Sequence, residues 1–113
     1  MIVVTGAGII SAIGNDKAET LSALIEGRSG IRAIRYLNTI HKDLPVGEVQ
    51  LSNEEMTARL GVACTHQTSR TTLMGTLALK EALQQAGLTP ADLPQTALVS
   101  GTTVGNMDRA EKF

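Results

Sequence analysis

The segment "SRTTLMGTLALKEALQQAG", Ser69 to Gly87, restricts the possible folds more than any other part of the chain. Ser69 is placed to cap a helix and Gly87 to end it, and Pro90 bars its continuation. The polar residues Lys80, Glu81, Gln84 and Gln85 share one face and occur only in the second half. The first half, Thr71 to Leu79, is apolar or small all round. That pattern predicts a helix wet at one end and enclosed at the other. Gly75 leaves room there for a second backbone. Such a helix calls for more surrounding protein than 113 residues readily supply.

Two other stretches point to a sheet. Ile2-Val3-Val4 and Thr96-Ala97-Leu98-Val99-Ser100 each read as a strand covered on both faces, as in a parallel sheet. Two such strands do not close a sheet between them; they need neighbours at their edges. Asp16 and Glu19 stand at capping-box spacing ahead of an apolar stripe of Ala18, Leu21, Leu24 and Ile25, with Gly27 as the stop, predicting a helix over 16–26. Arg28 to Leu44 shows no period and is expected to be a long loop. Val46 to Leu51 alternates like a short one-sided edge strand. Ser52 heads a short helix through Leu60, stopped by Gly61, and "MDRAEKF" begins another. The expected class is α/β, the opening of a domain cut before its sheet is complete.

Composition narrows the functions. Only Tyr36 and Phe113 are aromatic, so the core must come from Leu, Ile, Val, Ala and Met. Net charge is -1 and the ten basic residues are scattered. Arg28, Arg32 and Arg35 form the densest cluster, too small for a nucleic-acid footprint and without stacking aromatics; a solvated loop face is expected there. A single cysteine, Cys64, excludes an internal disulfide and suits a reducing compartment. The apolar runs are too short for a membrane span, and no signal peptide is visible, so the expected location is cytoplasmic with no membrane partner. Cys64, His66 and His41 lack zinc-site spacing, and no metal or other cofactor is expected.

The opening "MIVVTGAGIISAIGND" tempts a nucleotide assignment. A dinucleotide loop requires G-x-G-x-x-G, with the helix opening directly at the pyrophosphate. Here Gly6 and Gly8 are followed by Ser11 at the third position, and the helix cap falls only at Asp16. That would put a carboxylate where phosphate should sit. No second strand ending in Asp or Glu follows for the ribose.

The same residues fit a different family. "IVVTGAGIISAIGNDKAETLSALIEGRSGI" resembles the N-terminal segment of the β-ketoacyl-acyl-carrier-protein synthases, the condensing enzymes of fatty acid and polyketide assembly. "ALKEALQQAGL" resembles that family's long buried helix, and "TALVSGTTVGNMD" its next strand and glycine-rich loop. The resemblance runs in order through residues 1–113 as the N-terminal fragment of such a domain. It implies the incomplete first half of a thiolase-like α-β-α-β-α layered fold. It also implies a parent that joins acyl and malonyl thioesters by decarboxylative condensation, with acyl carrier protein as partner and a homodimeric assembly.

In the family a cysteine thiolate carries the acyl chain and two histidines assist decarboxylation. These lie beyond the part that resembles this chain, so no catalytic residue is expected in it and the chain alone should be inactive. Ala63-Cys64-Thr65 echoes the family's nucleophile turn, but it precedes the long helix instead of following the "SGTT" stretch. Cys64 is therefore expected to be a packed or loop thiol. In "GTTVGN" the resemblance puts Val104 at an acyl-pocket gate. Thr103 stands where elongating enzymes carry glycine, and Thr102 and Asn106 also depart, pointing to a specialised synthase. The alternative for Val104 is packing beneath the loop. Two other functions remain open at this point: an NAD(P)-binding domain of short-chain-dehydrogenase type, and a non-catalytic self-associating domain.

Overall fold

The computed structural model describes residues 1–65, 68–105 and 107. Its elements in chain order are α1 (Lys17–Glu26), β1 (Ile31–Ala33), β2 (Pro45–Gly47), α2 (Asn53–Leu60) and α3 (Arg70–Ala86), followed by one 3-10 turn at Leu93–Gln95.

The three helices expected ahead of residue 88 all form, and local chemistry explains each. The side chains of Asp16, Ser52 and Ser69 accept the N–H groups of Glu19, Glu55 and Thr72, which otherwise lack partners in the first turn. At α2 the capping box is complete, with Glu55 returning its carboxylate to the Ser52 N–H at 2.7 Å. At α1 it is displaced: Glu19 reaches the N–H of Asn15, one residue before the cap. Gly27, Gly61 and Gly87 all end their helices in the left-handed region that glycine favours.

The core lies where α2 crosses α3. Met56 is fully buried there with Leu51 and Leu73, and Ile10, Val49, Leu60, Met74 and Leu77 pack around them. Lys80 of α3 donates its ammonium to the Arg59 carbonyl at 2.8 Å, complementing the negative end of α2.

The strands depart from expectation. Residues 28–44 are not loop throughout, because Ile31–Ala33 pairs antiparallel with Pro45–Gly47, Ile31 opposite Gly47 and Ala33 opposite Pro45. Pro45 sits at the strand's first residue, where its missing N–H costs little. The expected strand 46–51 is correspondingly shortened: beyond Gly47 the chain turns inward, and Leu51 enters the core.

Ile2–Val4 and Thr96–Ser100 form no ladder at all among the described residues. Ile2 and Val99 are 101% and 93% exposed, so the enclosure expected of both stretches is absent. An extended segment cannot satisfy its own N–H and C=O groups, and nothing described here lies alongside these two as a partner strand. The first half of α3 differs likewise. Leu73 is buried, but Thr71, Thr72, Gly75, Thr76 and Leu79 face outward, and the space over Gly75 is open. The radius of gyration, 15.8 Å, reflects this openness; a compact domain of this length has about 13 Å. The expected helix at "MDRAEKF" lies outside the described residues apart from Met107.

Candidate functional site

The opening turn lies against α3, and its glycines are the reason it can. A Cβ on Gly8 would stand 1.8 Å from the Ala78 carbonyl oxygen, and one on Gly6 would stand 2.2 Å from that of Ala82. Strand-like backbone and helix backbone are therefore in direct contact, a close approach that only glycine permits. Ser11, at the position where a third glycine would be required, closes a tight turn instead. Its N–H donates to the Gly14 carbonyl at 2.9 Å and its hydroxyl accepts from Ile13.

Two N–H groups of the glycine turn, and three at the start of α1, already have acceptors. Ala7 donates to Gln85 Oε1 at 2.9 Å and Ile9 to Glu81 Oε2 at 3.0 Å. Lys17, at the first turn of α1, donates to Glu81 Oε1 at 3.0 Å, and its ammonium also contacts Gln85 Oε1. Asn15 and Glu19 donate to the carboxylates of Glu19 and Asp16. Three carboxylates thus occupy the rim of the turn, where an incoming phosphate would meet repulsion. Sequence patterning placed Glu81 and Gln85 on a wet face; in the structure that face meets the turn.

A second region was not expected from sequence. A wide cleft of about 960 Å³ opens between the β1–β2 hairpin and the start of α3. Tyr36, Glu48, Arg70, Met74 and Met107 are among its walls. Glu48 accepts three consecutive backbone N–H groups, from Arg35 at 3.0 Å, Tyr36 at 2.9 Å and Leu37 at 2.7 Å. Burial pushes the Glu48 carboxyl up, but these three donors and the nearby Arg70 charge outweigh it and hold the group below the usual carboxylate range. Arg70 donates to Asn53 Oδ1 and to the Val49 carbonyl at 2.8 Å, and its guanidinium lies 5.2 Å from the Tyr36 ring centre. Arg35 lies 5.3 Å from the same ring. Both cations are near enough to the ring for cation–π attraction. Glu48 thereby ties the end of the hairpin to its own connection, while Arg70 holds that connection and Val49 against α3, and together they fix the wall of the cleft.

The residues singled out from sequence fall elsewhere. Thr103 and Val104 form an exposed bend; Val104 is 69% exposed and is not among the residues lining the wide cleft, although Met107, three positions on, is. Asn106 lies outside the described residues. Cys64 is an exposed thiol in the segment after α2, while His66, its sequence neighbour, lies outside the described residues. His41 is on the exposed connection between β1 and β2. Arg28, Arg32 and Arg35 are all exposed, as expected of a solvated loop face; Arg28 pairs with Glu26 at 2.7 Å and Arg35 lies on Tyr36. Among the described residues no group of three His, Cys, Asp or Glu side chains is placed to hold a metal ion, and no helix is long and apolar enough to cross a membrane.

With the geometry in view, comparison with known proteins decides between the two explanations of the opening turn. Residues 1–112 match the family model described as β-ketoacyl synthase, N-terminal domain. The chain belongs to the β-ketoacyl synthase family. It is 33% identical over 108 residues to 3-oxoacyl-[acyl-carrier-protein] synthase 1 of Escherichia coli (strain K12) and 32% identical over 112 residues to the Haemophilus influenzae protein of that name. Each match covers 92% of this chain and 26% of the relative. A Buchnera aphidicola protein of that name is 31% identical over 110 residues. No solved structure gives a significant match. The chain spans about a quarter of the length of these relatives. Family membership carries the thiolase-like α/β class, in keeping with the mixture of helix and strand. The dinucleotide alternative gains nothing from either the match or the occupied donors of the turn.

Proposed function

We propose that residues 1–113 are the first part of a β-ketoacyl-acyl-carrier-protein synthase, an acyltransferase that condenses an acyl thioester with a malonyl thioester and releases carbon dioxide. The observation that carries this is the family match across residues 1–112 together with relatives named for that activity. On this reading these residues supply the scaffold, and the thioester chemistry belongs to sequence that the longer relatives have in addition. The parent works in the cytoplasm as a homodimer, takes its substrates from acyl carrier protein, and completes the α-β-α-β-α layering around Ile2–Val4 and Thr96–Ser100.

Within that reading Val104 is the gate of the acyl pocket. Its exposure favours this over packing beneath the loop, since a side chain that is 69% exposed has few packing partners to lose on moving. Thr103 beside it lacks the backbone freedom of glycine and restricts the swing.

The test is to express the full reading frame that encodes this chain and supply it with acyl- and malonyl-carrier protein. Mass spectrometry should detect ketoacyl product from the full protein and none from residues 1–113 alone. A full protein that makes no such product from any acyl chain length, or a 113-residue chain that condenses by itself, would overturn the proposal. Val104→Gly in the full protein should shift the product range towards longer acyl chains; an unchanged range would remove the gate assignment.

A further inference from the structure

Four hydrogen bonds tie the opening turn and the start of α1 to α3, and they do not rest on the condensing-enzyme proposal. The two oxygens of Glu81 each take one backbone N–H, from different elements: Ile9 of the turn at 3.0 Å and Lys17 of α1 at 3.0 Å. One turn along α3, Gln85 Oε1 takes the N–H of Ala7 at 2.9 Å and also the Lys17 ammonium. The spacing of four residues sets both side chains on the same helix face. The ammonium of Lys17 is thus directed to the neutral amide, while the charged carboxylate is directed to peptide N–H groups.

We propose that Glu81 is a built-in anion for this turn, a lock whose negative charge holds the glycine segment, α1 and α3 in one arrangement and closes the turn to external oxyanions. A carboxylate is required on two grounds, one of charge and one of bonding capacity. The first is that Lys17 is the first residue of α1, where the helix dipole favours a negative group. The second is the count of acceptors: a carboxylate offers two acceptor oxygens to two N–H groups, whereas an amide of the same size offers one and turns an N–H donor towards the other. Asp16 and Glu19 are the remaining acidic groups on the turn, and each is already engaged with a backbone N–H at 2.7–2.8 Å. They cannot take over both donors that Glu81 serves without abandoning their own.

The glycines make the lock possible. With Gly8 in contact with the Ala78 carbonyl and Gly6 with that of Ala82, the turn's N–H groups come within reach of side chains at positions 81 and 85. A residue with a Cβ at either glycine would hold the segment off and leave the donors beyond reach. The G-x-G pattern serves the approach, and Glu81 supplies the anion that a nucleotide would otherwise bring.

Amide hydrogen exchange and chemical shifts of isotope-labelled wild type, Glu81→Gln and Glu81→Ala test this, with sodium acetate as the probe and sodium chloride at matched ionic strength as control. In Glu81→Ala the Ile9 and Lys17 amides should exchange about tenfold faster or more, the size expected for losing a hydrogen bond to a charged group. Acetate should return their shifts towards wild type saturably, where chloride does not, and wild type should respond to neither. Glu81→Gln, equal in size, should protect one of the two amides and lose the other. If Glu81→Ala fails to fold, the split in Glu81→Gln carries the test alone. Full protection of both amides in Glu81→Gln, or an acetate response no different from chloride in a folded Glu81→Ala, would overturn the proposal.

Discussion

The α2–α3 junction and the two apolar segments Ile2–Val4 and Thr96–Ser100 are built from similar residues, yet they end in opposite conditions. At the junction Met56, Leu51 and Leu73 are buried and every helix start has its own cap. In the two segments Ile2, Val4, Leu98 and Val99 stand open. The difference is one of hydrogen bonding before it is one of hydrophobicity. A helix closes its backbone bonds within itself, so its apolar face needs only one further surface. A strand must find a neighbour for its backbone before its side chains can be covered on either side. The glycine turn lies between these extremes: it is extended backbone, and it borrows its acceptors from the side chains of α3.

If that contrast is right, substitutions of comparable chemistry should differ sharply by region. Met56→Ala removes the largest fully buried side chain among the described residues and should destabilise the chain by about 3 kcal/mol in urea unfolding. Gly8→Ala drives a Cβ into the Ala78 carbonyl and should cost about 2 kcal/mol, with the amides of Ala7 and Ile9 losing protection while α2 keeps its own. Glu48→Gln should cost about 1 kcal/mol near neutral pH, through its three backbone donors. The folded carboxyl of Glu48 titrates below its ordinary value of 4.5, so its contribution is present above that pH and is lost as pH falls through the folded value. The gap between wild type and Glu48→Gln should accordingly close in acid, measured as urea midpoints across pH. Val99→Thr should change stability by less than about 0.5 kcal/mol, because the side chain has nothing to leave. A loss near that of Met56→Ala would break the contrast.

The sequence was most informative where structure is local. Asp16, Ser52 and Ser69 mark helix starts because a cap is a bond between residues three apart, and Gly27, Gly61 and Gly87 mark the ends for the same reason. It was least informative about pairing. Ile31–Ala33 is only three residues, too short for its apolar–polar alternation to stand out, and it is held by Pro45–Gly47 and by the contact of Gly30 with Ala12, all remote in sequence or dependent on close approach. Ile2–Val4 has the composition of a buried strand, but composition states what a segment suits, not what lies beside it. The same limit explains Glu81 and Gln85: periodicity gave their shared face correctly and left unsaid that the face meets a turn. Tyr36, Glu48 and Arg70 carried no motif, and only the fold brings them to one cleft. Val104 and Thr103 were distinguished by family resemblance, and their exposed bend has no packing that sequence patterning would register.

Residue-by-residue hydrogen exchange on the 113-residue chain tests the central claim most directly. Amides of α2 and α3 should exchange slowly, those of Ala7 and Ile9 at an intermediate rate set by Gln85 and Glu81, and those of Ile2–Val4 and Ala97–Val99 as fast as in short peptides. Protection of Ile2–Val4 and Ala97–Val99 equal to that of α3 would contradict it, since these segments would then have a partner strand within the chain.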